Sequence, residues 1–327
     1  MKTLRLILTV LTALELAGAL RTLDAQTIRD SSSARLTAAD IEGMMKNLSN
    51  WAGWGKEDKK GALNLITARK RKEAAGLVKD GVSISLARNL VQSKDVGAAQ
   101  FVHKMTATGQ NSESISAADA YTFEYHGYLL THLDALCHLF HGGRLYNGIS
   151  HKTVTEKGAE KLSVINMKNG LLTRGVLMDM PRLWGVKYLE GGKAIYPEDL
   201  EAWEKKAGVN VQSGDAIIIR TGSWARRAVE SEQAVQKSFA GLHAACLPWL
   251  KKRDVAIIGS DLATDVFPSG IDGFVLPVHW VAITAMGTPI LDNCDLETLS
   301  EEANARNRWS FLLTAAPLPV QGGTGSP

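Results

Sequence analysis

Apolar residues recur at helical spacing in "TAADIEGMMKNLSNW", where Ile41, Met44, Met45 and Leu48 share a face behind a Thr37-x-x-Asp40 start signal. A tryptophan-bearing loop follows, "WAGWGKEDKKGALNLIT", and the pattern then predicts a helix over 67–78. "GVSISLARNL" alternates apolar with small or polar side chains, which predicts a strand. Further on, "SVINMKNGLLTRGVLMDM" predicts a strand near 175–180. "YPEDLEAWEKKAG" predicts a helix with Pro197 near its start, acids in its first turn and Gly208 at its end. Two continuous apolar runs bounded by turns, "GDAIIIRTG" at 214–222 and "RDVAIIGSD" at 253–261, suit buried strands. Between them "GLHAACLPWLKK" is helical in pattern, broken at Pro248. Strands interleaved with helices imply an α/β architecture of mixed layers. No internal repeat is present.

The two ends differ from this pattern. "MKTLRLILTVLTALELAGAL" has Lys2 and Arg5, an apolar run over 6–14 and then Ala17-Gly18-Ala19, the layout of a secretory signal. The run is too short to span a bilayer. The expectation is therefore a leader over 1–25, a serine-rich linker over 26–36, one domain over 37–315 and a flexible tail over 316–327. Export to the periplasm or medium is expected, the alternative being a dispensable leader on a cytoplasmic protein. No other segment resembles a membrane span.

Composition narrows the function classes. The 327 residues are 45% hydrophobic and 22% charged with a net charge of +3, ordinary for a globular chain. The basic runs "ARKRK" and "KKR" lack interleaved aromatics and read as solvated faces, so no nucleic-acid partner is expected. Cys137, Cys246 and Cys294 are odd in number and far apart, which supports neither a zinc ribbon nor a disulfide scaffold.

The chemistry concentrates in "YHGYLLTHLDALCHLFHGG" at 125–143. It holds His126, His132, His138 and His141, half of the eight histidines, together with Asp134. In an extended chain His132 and Asp134 point to one face, because strand side chains repeat every second residue. His138 follows Asp134 by four residues, one helical turn. Imidazole and carboxylate are the usual ligands of a divalent ion such as zinc or manganese, and burying so many ionisable groups without a mutual partner is costly. A metal site that activates water, with an uncoordinated histidine moving protons, is the chemistry this pattern favours. Cys137 reads either as a ligand or nucleophile or as a small buried residue, and His141 and His151 read as loop residues. Gly-x-Ser-x-Gly, His-Glu-x-x-His and Gly-x-x-x-x-Gly-Lys are absent from the sequence.

At these residues the chain resembles the cyclase family of metal-dependent hydrolases, which includes arylformamidases and isatin hydrolases. "THLDALCH" is similar to their His-x-Gly-Thr-His-x-Asp-x-Pro-x-His signature. "NWAGWGKEDKKGALNLIT", "GDAIIIRTG", "VAIIGSD" and "PVHWVAITAMGTPILDNCDLETL" resemble further family segments in the same order, so the likeness runs over about 50–299. The resemblance implies a swivelling β/β/α fold, a homodimer and one or two divalent metals. It assigns His132 and Asp134 as metal ligands, His138 as the catalytic histidine, and His279 and Asp292 as ligands of a second metal position. The chain departs from the signature at Tyr128, which stands where the family has a ligand histidine, and at Leu130 and Leu136, where it has Gly and Pro. His126, two residues further out, is the candidate replacement ligand.

The implied activity is hydrolysis of an amide, lactam, formamide, ester or lactone bond in a small-molecule substrate. Trp51, Trp54 and Tyr128 are candidates for a flat substrate wall. Arg220 reads either as a clamp for a substrate carboxylate or as a structural ion pair. Two other readings stay open: an exported binding protein that keeps the fold without turnover, and a metal-dependent lyase.

Overall fold

The computed structural model describes residues 36–90 and 101–327; the leader and most of the linker lie outside the described residues. Residues 38–327 pack as one unit. Its centre is a curled seven-stranded sheet built from β1 (His132–Asp134), β2 (Leu171–Asp179), β3 (Ala216–Arg220), β4 (Ile257–Ser260), β5 (Ile290–Asp292), β6 (Ser310–Ala315) and β7 (Gly325–Ser326), in the order β6-β2-β3-β4-β5-β1-β7. β2 to β5 run parallel, and β6, β1 and β7 join antiparallel. The central strands are buried along their whole length, which is why β3 reads as an unbroken Ala-Ile-Ile-Ile run rather than an alternation.

The motifs at the strand ends are structural. Asp215 receives Nε and Nη2 of Arg174, the latter at 2.5 Å, and pairs with buried Lys70, so the "ARKRK" run buries one of its own cations. Arg220 is buried between Asp179 at 2.9 Å and Glu297 at 2.7 Å, which makes it an ion pair and no substrate clamp. Asp261 accepts the backbone N–H groups of Thr221, Gly222 and Ser223 and the Thr221 hydroxyl, tying the end of β4 to the turn after β3. These bonds explain why Gly-Asp-x-x-x-x-Arg-Thr-Gly and Gly-Ser-Asp occur together.

The helices over Ala38–Asn47, Ala68–Ala75 and Pro197–Ala207 form where periodicity placed them. Asp199 accepts the Tyr196 N–H at 2.9 Å, and Gly208 ends that helix at φ +64°. Trp203 anchors it, donating from Nε1 to the Leu177 carbonyl at 2.8 Å with its ring edge-on to Trp309.

Three expectations need correction. The helix expected over 241–252 forms only over Leu247–Lys252, with Pro248 in its first turn where no N–H is required of it; Gly241–Leu242 pair with Ala194–Ile195 as a short strand and Ala244–Cys246 make a single 3-10 turn. Residues 81–90 form no strand. The Leu86 carbonyl accepts the Asp295 N–H and the Arg88 N–H goes to the Thr131 hydroxyl, so the backbone is held by isolated bonds while its apolar side chains line a groove of about 650 Å³. The tail is not loose either, because Gly325 and Ser326 pair with Asp134 and Leu133 as the edge strand β7. A hairpin that the periodicity did not reveal, Val102–Ala107 with Ala118–Thr122, carries an aromatic group of Phe101, Tyr121 and Phe123. No helix among the described residues is long and apolar enough to cross a membrane.

Candidate functional site

β1 and β5 lie side by side in antiparallel register, Asp292 opposite His132 and Ile290 opposite Asp134. Strand alternation then does what the spacing predicted: His132 and Asp134 share a face, and Asp292 joins them from the neighbouring strand. His279 arrives from the short helix Pro277–Trp280, which continues into a wide π-type turn, Val281–Met286. His132, Asp134, His279 and Asp292 are all buried.

Two groups of ligand atoms converge here, each within 4.8 Å: His126, His132 and Asp134 in one, and Asp134, His279 and Asp292 in the other. Asp134 belongs to both. The distant segments around 132 and 279 therefore meet at one carboxylate, as the sequence reading required.

The tautomer of His132 and the charge on Asp134 suit cation binding. His132 Nδ1 lies 2.8 Å from the Leu130 carbonyl, which can only accept, so Nδ1 carries the proton and Nε2 presents its lone pair. Full burial alone would favour neutral Asp134, but the imidazoles of His126, His138 and His132 hold its carboxyl well below the usual range. His126 Nδ1 and Asp134 Oδ1 stand 3.0 Å apart, both buried and neither in a hydrogen bond. A proton on Nδ1 would bridge these two atoms, and with the proton on Nε2 instead they present two lone pairs to which a cation can bind.

His279 is gripped on both sides, Nδ1 at 2.5 Å from Asp265 Oδ2 and Nε2 at 2.9 Å from Asp292 Oδ2. Burial would lower its basicity, yet Asp292 and Asp265 override it and raise the pKa well above the ordinary value. Asp265 also accepts the backbone N–H groups of Val278 and His279, fixing the start of the helix that carries the histidine. Burial lifts the Asp265 pKa above the usual carboxylate value. Sequence reasoning missed Asp265, which lies fourteen residues before His279 in a stretch with no local signal. It missed Thr264 too, whose hydroxyl lies 3.4 Å from Asp292 Oδ1.

His138 Nε2 is 3.9 Å from Asp134 Oδ2, and its ring stacks on His126 with centroids 4.0 Å apart and planes within 7°. It belongs to neither ligand group. Burial pushes its pKa down to about 4 even beside the Asp134 anion, so at neutral pH it holds a free lone pair.

A cavity of about 260 Å³ opens over His132, Asp134, His138, His279 and Asp292, walled by Tyr128, Leu139, Ala263, Leu276 and Trp280. Tyr128, in the slot of a family ligand, is thus part of the wall. Its ring packs on Phe239, and burial raises its hydroxyl pKa. Trp51 and Trp54 do not line this cavity. Trp51 donates from Nε1 to the Thr284 carbonyl at 2.7 Å, and Asn50 bonds Ala285 and Met286, so the tryptophan loop braces the turn behind His279. His141 pairs with Glu42 outside the cluster. Cys137 is a buried free thiol and stands in neither ligand group.

Similar proteins carry the same architecture. A crystal structure described as a novel cyclase superposes with a TM-score of 0.79 at 29% identity, covering 86% of this chain and 96% of its own. Isatin hydrolase A from Labrenzia aggregata, bound to benzyl benzoate, gives a TM-score of 0.55 at 18% identity over 80% of this chain and 96% of its own. Isatin hydrolase A from Ralstonia solanacearum gives 0.54 at 20% over 78% and 93%. These two bear on the fold alone. No curated protein matches the chain. The model of the family described as "Putative cyclase" matches residues 81–266, more than half of the sequence, and with the strand order and the order of motifs above it places this chain in the cyclase family.

Proposed function

We propose that the protein is a metal-dependent hydrolase that opens an amide, lactam, formamide or ester bond in a small molecule. The observation that carries this reading is the pair of candidate ligand groups sharing Asp134, with His132, Asp134, His279 and Asp292 on the floor of a cavity and His138 beside them. His126, His132 and Asp134 would hold one cation, and Asp134, His279 and Asp292 a second. A zinc or manganese ion bound there would polarise a carbonyl oxygen and acidify a water molecule.

The chain's own groups supply the remaining tasks. His138 Nε2 is neutral at pH 7 and takes up the proton of the attacking water, then returns it to the leaving nitrogen or oxygen. The Tyr128 hydroxyl stays protonated and is available to donate to a substrate oxygen. Leu139, Ala263, Leu276 and Trp280 exclude bulk water and favour a flat, apolar ring. The cavity lies just below the roughly 300 Å³ at which drug-sized sites begin, so the substrate is one or two rings in size.

The test is metal-stripped protein reloaded with zinc or manganese and offered a panel of formamides, cyclic amides and lactones. Turnover that requires the metal and disappears in His138→Ala supports the hydrolase. Tight capture of a panel member without turnover under either metal would replace it with a binding function.

A further inference from the structure

The ligand substitution that distinguishes this chain from its family signature leaves a physical problem. His126 is 30% exposed where His132 is 3% exposed, and its ring stacks on His138, contacts that leave the choice of tautomer open. A neutral imidazole has two tautomers. With the proton on Nδ1 it would simply hydrogen-bond Asp134 and take up the lone pair that a cation needs. Something must orient the ring and keep the proton on Nε2.

The carboxyl-terminal segment is placed to do both. His126 Nε2 lies 2.9 Å from Thr324 Oγ1. The carbonyl of Thr324 in turn accepts the Ala135 N–H at 2.9 Å, one residue after Asp134, so Thr324 is registered directly against the metal-binding strand. The next residue, Gly325, pairs with Asp134 in β7, and its carbonyl accepts the Tyr125 hydroxyl at 2.9 Å. Gly325 must lack a side chain: a Cβ there would overlap the Leu133 carbonyl oxygen and stand 3.1 Å from His126 Cε1. Consecutive side chains, Tyr125 and His126, are thus docked on consecutive residues of the terminal strand.

We propose that Thr324 is the positioning residue that makes His126 a metal ligand, by accepting its Nε2–H and leaving Nδ1 turned toward Asp134. The inference rests on the metal-site reading above and deepens it. Docking of the terminal strand and loading of the cation position shared by His126, His132 and Asp134 are then one event. Thr324 touches no cation or substrate itself and acts only through the imidazole. Partners of this kind, which orient a ligand from behind, typically contribute about 10–100-fold in metal affinity.

The test is a double-mutant cycle read by metal affinity, using zinc competition against a chromophoric chelator. Thr324→Val keeps the side chain's shape and removes the acceptor; it should weaken zinc binding by about 10–100-fold, and Thr324→Ser should restore it. His126→Ala combined with Thr324→Val should bind no more weakly than His126→Ala alone, since the two residues act as one unit. A structural role for Thr324 would lower the melting temperature of the metal-free protein without these effects, so Thr324→Val protein that binds zinc as tightly as wild type, or additive losses in the double variant, overturns the proposal. A measurement on the unaltered protein stands independently of any folding defect: cadmium-113 loaded protein should show scalar coupling to His126 Nδ1 and a proton on Nε2, and coupling through Nε2 overturns the proposal. Wild-type protein that binds neither zinc nor cadmium would sink the metal-site reading along with it.

Discussion

Asp265 Oδ2 stands 2.5 Å from His279 Nδ1, and the same carboxylate accepts the two backbone N–H groups that start the histidine's helix. One buried side chain therefore sets the direction of the imidazole and holds Nδ1–H, while Nε2 faces Asp292. Asp265→Asn preserves size and one acceptor while weakening the grip on Nδ1–H. We expect the protein to remain folded and zinc affinity to fall by about 10–100-fold, measured by chelator competition. Unchanged affinity would show that the helix alone orients His279.

His138 and the ligand histidines should separate cleanly in their phenotypes. His138 belongs to neither ligand group, so His138→Ala should leave metal content by elemental analysis at the wild-type value. Turnover on any panel substrate should fall by about 10²–10⁴-fold, the range for loss of a positioned acid–base group. His132→Ala should lose metal as well as activity. An equal loss of metal in both variants would make His138 a ligand.

These two residues also show what the sequence could and could not convey. His132, Asp134 and His138 were legible because their relationship is local: strand alternation and one turn of chain bring them together. His279 and Asp292 needed the family resemblance, since nothing nearby in sequence links them to position 134. Asp265 and Thr324 act through long-range contacts that leave no periodic trace. The strand expected over 81–90 had the right alternation, with Val82, Ile84 and Leu86 in phase, but a strand also needs a ladder partner. Leu86 and Arg88 spend their backbone groups on Asp295 and Thr131 instead. Trp51 was visible as an aromatic in a functional-looking loop, yet its indole N–H is used on a backbone carbonyl behind His279. An aromatic wall and an aromatic brace are identical in sequence.

The cysteines make a pH prediction. Burial pushes the Cys137 thiol up to about 12, and Cys246 and Cys294 are raised well above the ordinary value by burial reinforced by nearby carboxylates. All three thiols should be silent toward a chromogenic disulfide at pH 8 in native protein and should react fully in denaturant. The raised values also make stability fall with alkali. Below about pH 7.5 the thiols are protonated in both states and contribute no pH dependence. Above it the unfolded chain releases protons that the native state retains, so unfolding is favoured increasingly toward pH 12. The urea midpoint should therefore drop between pH 8 and pH 10.5, and by less in Cys246→Ala. An equal drop in that variant would assign the effect to other groups.

Gly61 and Gly55 provide a matched pair for the brace behind His279. Both occupy the left-handed region, at φ +56° and +97°, so alanine at either position carries backbone strain of about 1–2 kcal/mol. Their surroundings differ. Nothing lies within 4 Å of a Cβ built on Gly55, whereas one on Gly61 would overlap the Gly287 carbonyl oxygen, which accepts the Ala62 N–H at 2.8 Å. Asp58 locks the same turn by accepting the Gly61 N–H, the Asn64 amide and the buried Tyr146 hydroxyl. Gly287 closes the π-type turn that follows His279, so a collision there is passed to the helix that carries His279. Gly55→Ala should therefore cost only the strain and leave zinc affinity unchanged. Gly61→Ala should cost at least ~2 kcal/mol more, in the range of severe steric changes in packed regions, and should weaken zinc binding too. Chemical denaturation of the two metal-free variants, followed by zinc competition, decides the matter: equal destabilisation with unaltered affinity in both would show that the tryptophan loop is not coupled to the site.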